Sequence, residues 1–78
     1  MARFYFHLHD DMEVLDEEGS ELPDAAAAHA VGVGLARFEV SQHARKGRVV
    51  LSHSIAIKDE CGRAIETIYF RDVVAIVD

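Results

Sequence analysis

Two stretches that alternate apolar and polar residues, Arg3 to His9 and Val49 to Lys58, stand on either side of one long segment with helical spacing, Pro23 to about Arg45. This switch of period narrows the possible folds more than any other feature. A period of about 2 sends successive side chains to opposite faces of a sheet, whereas a period of about 3.6 gathers apolar residues along one side of a helix. Strands on both sides of a single helix bury their apolar faces together only if the helix lies across the sheet. The expected class is therefore α+β, a mostly antiparallel sheet in the order β-β-α-β-β with one helix packed on one face. At 78 residues the chain is expected to be a single small domain spanning 1–78.

Each expected element has its own signals. In the first strand Phe4, Phe6 and Leu8 share one face, and Arg3, Tyr5, His7 and His9 the other. Asp10-Asp11 ends it, and Val14-Leu15 is read as a short return strand before a turn at Glu18-Gly19-Ser20. Pro23 suits the first helical position, Asp24 puts negative charge in the first turn, and Gly47 supplies a stop. Ala28, Val31, Leu35 and Phe38 recur at helical spacing and are read as the buried stripe, with Gly34 marking close approach to the sheet and Gly32 left without a role. In the second clear strand Leu51, His53, Ile55 and Ile57 alternate with Val50, Ser52, Ser54, Ala56 and Lys58. Asp59-Glu60-Cys61-Gly62 is hairpin-turn chemistry, with Ala64 to Phe70 as the returning partner. Val73 to Val77 reads as an edge strand or a short helical turn.

The motifs RFYFHLHD, DEEGSELPD before an Ala-rich helix, IKDECGR and TIYFRD occur in that order along almost the whole chain. In this the chain resembles a family of short bacterial proteins known only as a domain of unknown function. Its members open with an Arg-aromatic-aromatic-Phe-His strand, pass through Asp-Glu-Glu-Gly-x-Glu-Leu and close on Phe-Arg-Asp. The resemblance implies no activity, cofactor or catalytic residue. The chain departs from that pattern after Asp10, where Asp11 and Met12 stand in place of the family's usual glycine. A looser likeness to antitoxins of the HicB type, a hairpin leading into an amphipathic helix, is one of architecture only.

Composition limits the function classes. Cys61 is the only cysteine, so neither an internal disulfide nor a multi-cysteine metal site can form, and a reducing compartment fits. The sequence has neither a basic, apolar leader nor a run of about 18 apolar residues, and the expected location is the cytoplasm. Residues 1 to 24 carry eight acids against Arg3, an imbalance that repels phosphate backbones. The opposing feature is the basic patch Arg37, Arg45, Lys46 and Arg48, which the negative end of a helix also accounts for.

Catalytic and ligand motifs fare poorly. His7, His9 and Asp10 are the best metal candidates, because residues two apart on a strand point the same way, but surface polar groups are the more common explanation. From Asp10 the acidic run fails the calcium-loop template, since Met12 and Val14 occupy ligand positions and Leu15 replaces the glycine. Gly32-Val33-Gly34 lies inside the helix with no Lys-Ser or Lys-Thr after it, and so is no phosphate loop. Strand alternation sends His53 away from Ser52 and Ser54, and Asp59 and Glu60 disfavour a Cys61 thiolate. The expectation is accordingly a non-enzymatic interaction module without a cofactor, which self-associates, as a dimer, or docks on one protein partner. Its interaction face is expected at Tyr5, His7, His9 and Tyr69, or along Val73 to Val77. A nucleic-acid-contacting regulator using the basic patch is the alternative, and metal capture by His7, His9 and Asp10 a weaker one.

Overall fold

The computed structural model describes residues 1–77, and among them the elements run β1 (Ala2–His9), β2 (Glu13–Val14), β3 (Ser20–Leu22), α1 (Ala25–Arg45), β4 (Ser54–Asp59), β5 (Ala64–Tyr69) and a single 3-10 turn (Phe70–Asp72). All the strand pairings are antiparallel, and the class is the α+β arrangement expected, with the helix on one face of the sheet. The strand order is β2-β1-β4-β5, with β3 also paired to β1. β2 pairs with the Leu8–His9 end of β1 and β3 with its Ala2–Phe4 end. Both lie on the edge of β1 opposite β4, because Phe4 and Leu8 each pair with β4 as well. The sequence reading placed a turn where β3 begins. A strand of this length carries too few residues to display a period.

Helix α1 starts two residues later than Pro23 would place it. Asp24 is the N-cap, extended in backbone, and its carboxylate accepts the Ala27 N–H at 2.8 Å. The far end closes with Gly47 at φ 86°, a conformation that suits glycine, its N–H donating to the Ala44 carbonyl at 2.9 Å. β4 begins at Ser54 rather than Val49. The preceding residues form an irregular loop tied to the end of the second hairpin, the Phe70 N–H donating to the His53 carbonyl and the Arg71 N–H to that of Leu51. Gly62, at φ 81°, takes the left-handed place in the β4–β5 turn as expected, and a bulge follows Ile57. After Val73 the chain to Val77 is neither strand nor helix, and its last three described residues are exposed.

The buried stripe of α1 departs most from the sequence reading. Ala28, Gly32 and Ala36 face the core, while Val31, Leu35 and Phe38 are 36%, 39% and 57% exposed. The reason is the bulk already on the sheet: Phe4, Phe6, Ile55, Ile57, Ile68 and Phe70 fill the space, so the helix buries fully only its smallest residues, with Val33 and Val40 packed partly buried beside them. A Cβ on Gly32 would stand 2.7 Å from Ile68 Cδ1 and 2.8 Å from Ile57 Cδ1, whereas one on Gly34 would meet nothing within 4 Å. The roles read for the two glycines are thus exchanged. Phe4 and Phe6 do face the helix, as alternation requires, but they meet neither Leu35 nor Phe38 as core partners.

Candidate functional site

Strand alternation puts Tyr5, His7 and His9 on the face away from α1, and Tyr69 joins them through its pairing with Ser54, which lies opposite His9. Part of that face is closed by the segment after β2. Between the β2 and β3 pairings the middle of the β1 edge lacks a strand partner, and Asp16 takes the place of one. Its Oδ2 accepts the Phe6 N–H at 3.2 Å and its Oδ1 those of Glu18 and Gly19 at 3.2 and 3.0 Å. Its own N–H donates to His7 Nδ1 at 3.0 Å, which leaves the ring proton on Nε2 when the imidazole is neutral. Burial alone would raise the Asp16 pKa. The N–H groups of Gly19, Phe6 and Glu18, with His7 alongside, outweigh it and hold the carboxyl below its ordinary range.

Gly19 turns at φ 71°, and a Cβ there would lie 2.9 Å from Arg3 Cγ, the Phe4 carbonyl and Tyr5 Cε1. The Arg3 guanidinium then bonds the Glu18 carbonyl at 2.7 Å and Glu21 at 2.9 Å. The stretch Asp16-Glu17-Glu18-Gly19-Ser20-Glu21-Leu22 is therefore a strap along the β1 edge, held there by the Asp16 and Glu21 carboxylates and the β3 pairing. Tyr5 and His7 remain half-buried and stack on each other at 6.5 Å, while Tyr69 is exposed with the Arg71 guanidinium 5.7 Å from its ring.

The candidate metal triad is not brought together, and of the basic patch only Lys46, the helix C-cap, and Arg48 share a cleft. Arg37 donates from Nε to the Val73 carbonyl at 2.9 Å, across the helix from the loop where Arg48 pairs with Asp11 at 3.1 Å; Arg45 is exposed in the last helical turn. His7 is engaged by the strap, His9 stands 3.4 Å from Glu13, and Asp10 turns toward the helix. His53 Nδ1 bonds no hydroxyl among the described residues and its Nε2 faces Asp11, so it forms no relay with Ser54, and Cys61 is an exposed free thiol.

Sequence reasoning missed two places. One is the flank of α1 bearing Val31, Leu35 and Phe38. At about 100° per residue this flank lies opposite His29, Val33 and Arg37, which point toward β5: His29 meets Glu66 there at 2.6 Å, and a cleft of about 420 Å³ lies between the helix and that strand. Ala25 to Ala36 contains no Asp, Glu, Lys or Arg. The absence of charge was visible in the sequence, but the size of the apolar residues assigned them to the core.

The second place is a cleft of about 280 Å³ between the turn after β1, the end of α1 and the loop before β4, lined in part by Asp10, Asp11, His43, Arg48 and His53. His43 Nε2 lies 3.5 Å from Asp10 Oδ2 and 3.9 Å from Glu39 Oε1, and His53 Nε2 lies 3.7 Å from Asp11 Oδ1. The two imidazoles meet edge to face at 6.0 Å, and both pack on the buried Phe70 ring. His53 Nδ1 is fully buried with no hydrogen-bond partner among the described residues. Glu39 and His43 sit one helical turn apart, a spacing visible in the sequence, but only the fold brings Asp10 to them.

Among the described residues no helix is long and apolar enough to cross a membrane. No match was found among curated proteins or among solved structures. The strap, the fully buried Phe70 that opens Phe-Arg-Asp, and the β1 alternation are the features the sequence motifs encode, and a family model matches the chain over residues 3–71. The chain belongs to the family described as domain of unknown function DUF6894.

Proposed function

We propose that this domain is a non-enzymatic interaction module that self-associates as a homodimer through the Val31, Leu35 and Phe38 flank of α1. One observation carries this reading: the helix buries its small residues, Ala28, Gly32 and Ala36, and leaves Val31, Leu35 and Phe38 exposed. A helix apolar on both sides is characteristic of one covered on both sides. Here the sheet leaves the flank with Val31, Leu35 and Phe38 uncovered. The outer side also bears Ala27, Ala30 and Gly34, whose lack of bulk lets a second backbone come close, and this gives Gly34 a role that nothing within 4 Å in the monomer provides. A second copy is the favoured occupant, because an uncharged surface has no charge pattern with which to select a different partner and a two-fold axis makes one such surface its own complement.

Sedimentation equilibrium over a concentration series tests the reading. The wild-type chain is expected to dimerise, and Phe38→Glu to be monomeric with its far-UV circular dichroism unchanged. A wild-type chain that stays monomeric throughout, or a Phe38→Glu chain that dimerises as the wild type does, would defeat it. Tyr69→Ala, on the sheet face expected earlier to carry the contact, should leave dimerisation intact.

A further inference from the structure

We infer that Asp10, Glu39 and His43 form a binding site for a divalent first-row transition ion of the zinc type, a site independent of the proposed dimer contact. The three side chains offer one ligand atom each, all within 4.8 Å of one another, from two elements far apart in sequence. At 3.5 and 3.9 Å the His43 contacts to Asp10 and Glu39 are too long for hydrogen bonds, so the groups converge on a space without bonding one another. That spacing suits an ion: ligand bonds of about 2.0–2.1 Å in a tetrahedron place donor atoms roughly 3.4 Å apart.

The surroundings fix the ligands. Asp10 Oδ1 accepts the Met12 N–H at 2.9 Å, which aims Oδ2 at His43. The His43 ring is held between Phe70 and His53, and its side chain is 17% exposed, with Asp10 at 19% and Glu39 at 25%. His43 lies in the last turn of α1, where the negative end of the helix dipole favours a cation. One imidazole and two carboxylates make a mixed nitrogen and oxygen set that suits zinc or its neighbours better than an ion that takes only oxygen. Three protein ligands leave a fourth position for water.

The experiment uses untagged, chelator-treated protein titrated with Zn²⁺, Co²⁺ and Mg²⁺ by calorimetry, with the visible ligand-field bands of Co²⁺ reporting its geometry. The expected result is one equivalent of Zn²⁺ or Co²⁺ bound, bands of four-coordinate intensity, and no comparable affinity for Mg²⁺. Glu39→Gln, conservative in shape at a partly exposed position, should weaken Zn²⁺ binding by at least about 10-fold, and His43→Asn should weaken it further. His9→Asn, on the other sheet face, should bind as the wild type does. Absence of stoichiometric Zn²⁺ or Co²⁺ binding would overturn the assignment. So would wild-type affinity in a Glu39→Gln chain whose circular dichroism is native, or loss of binding in His9→Asn.

Discussion

The contrast between Gly32 and Gly34 gives the sharpest test of how α1 sits on the sheet. Replacing a mid-helix glycine by alanine ordinarily stabilises by about 1 kcal/mol, because the unfolded chain loses freedom and the helix gains a better former. Gly34→Ala should realise most of that gain, since its new methyl meets nothing within 4 Å. At Gly32 the same methyl would stand 2.7 Å from Ile68 Cδ1 and 2.8 Å from Ile57 Cδ1. Either methyl could rotate away if it were free, but Ile57 is fully buried and Ile68 nearly so, and both must move at once within one packed layer. Overpacking of this kind costs about 1–3 kcal/mol, which cancels or exceeds the helix gain. Gly32→Ala is therefore expected to be less stable than Gly34→Ala by about 1–3 kcal/mol. For a domain of this size that corresponds to a melting-point difference of at least about 4–8 °C. Urea unfolding of both variants, made in the Phe38→Glu background so that self-association is the same for the pair, gives the comparison. Equal stabilisation by the two substitutions would show that α1 does not approach the sheet through Gly32, and the packing argument would fail with it.

Other expectations concern the turns and the strap. Asp16→Ala removes the acceptor of the Phe6, Glu18 and Gly19 N–H groups and should lower stability by about 1–3 kcal/mol in denaturant unfolding. Because the folded-state pKa of Asp16 is depressed, its contribution is complete above the ordinary carboxylate range and fades as pH falls through the lowered value, so Asp16→Asn should flatten the acid limb of a stability profile below about pH 4. A profile with the same acid slope in both proteins would argue against the strap. Gly19→Ala and Gly62→Ala both place a side chain at positive φ, but only Gly19 is also crowded by Arg3, Phe4 and Tyr5. Gly62→Ala should cost about 1 kcal/mol and Gly19→Ala clearly more, and the reverse order in thermal melts would refute the geometry assigned to the strap.

Much of the fold was legible because its strongest signals are local. The alternation in β1 placed Phe4 and Phe6 inside, the Asp59 to Gly62 turn fixed the hairpin, and Gly47 marked the end of the helix. The interior side of α1 was not legible, because the helix carries two apolar stripes. Choosing between them depends on how much room the sheet leaves, and that is set by Ile55, Ile57 and Ile68, far away in sequence. β3 was hidden for a related reason: it is held by register with Ala2 to Phe4, not by a pattern of its own. The metal-ligand reading kept Asp10 but paired it with its sequence neighbours His7 and His9. The fold pairs it instead with Glu39 and His43, because the turn after β1 carries Asp10 to the helix side.

Intermolecular nuclear Overhauser effects in a sample mixed from isotope-labelled and unlabelled chains test the proposed dimer most directly. A dimer through this flank gives cross-peaks between copies that join the Phe38 ring to the methyl groups of Val31 and Leu35. Cross-peaks that instead involve Tyr5 or Tyr69, or their absence at concentrations where the chain sediments as a dimer, would contradict it.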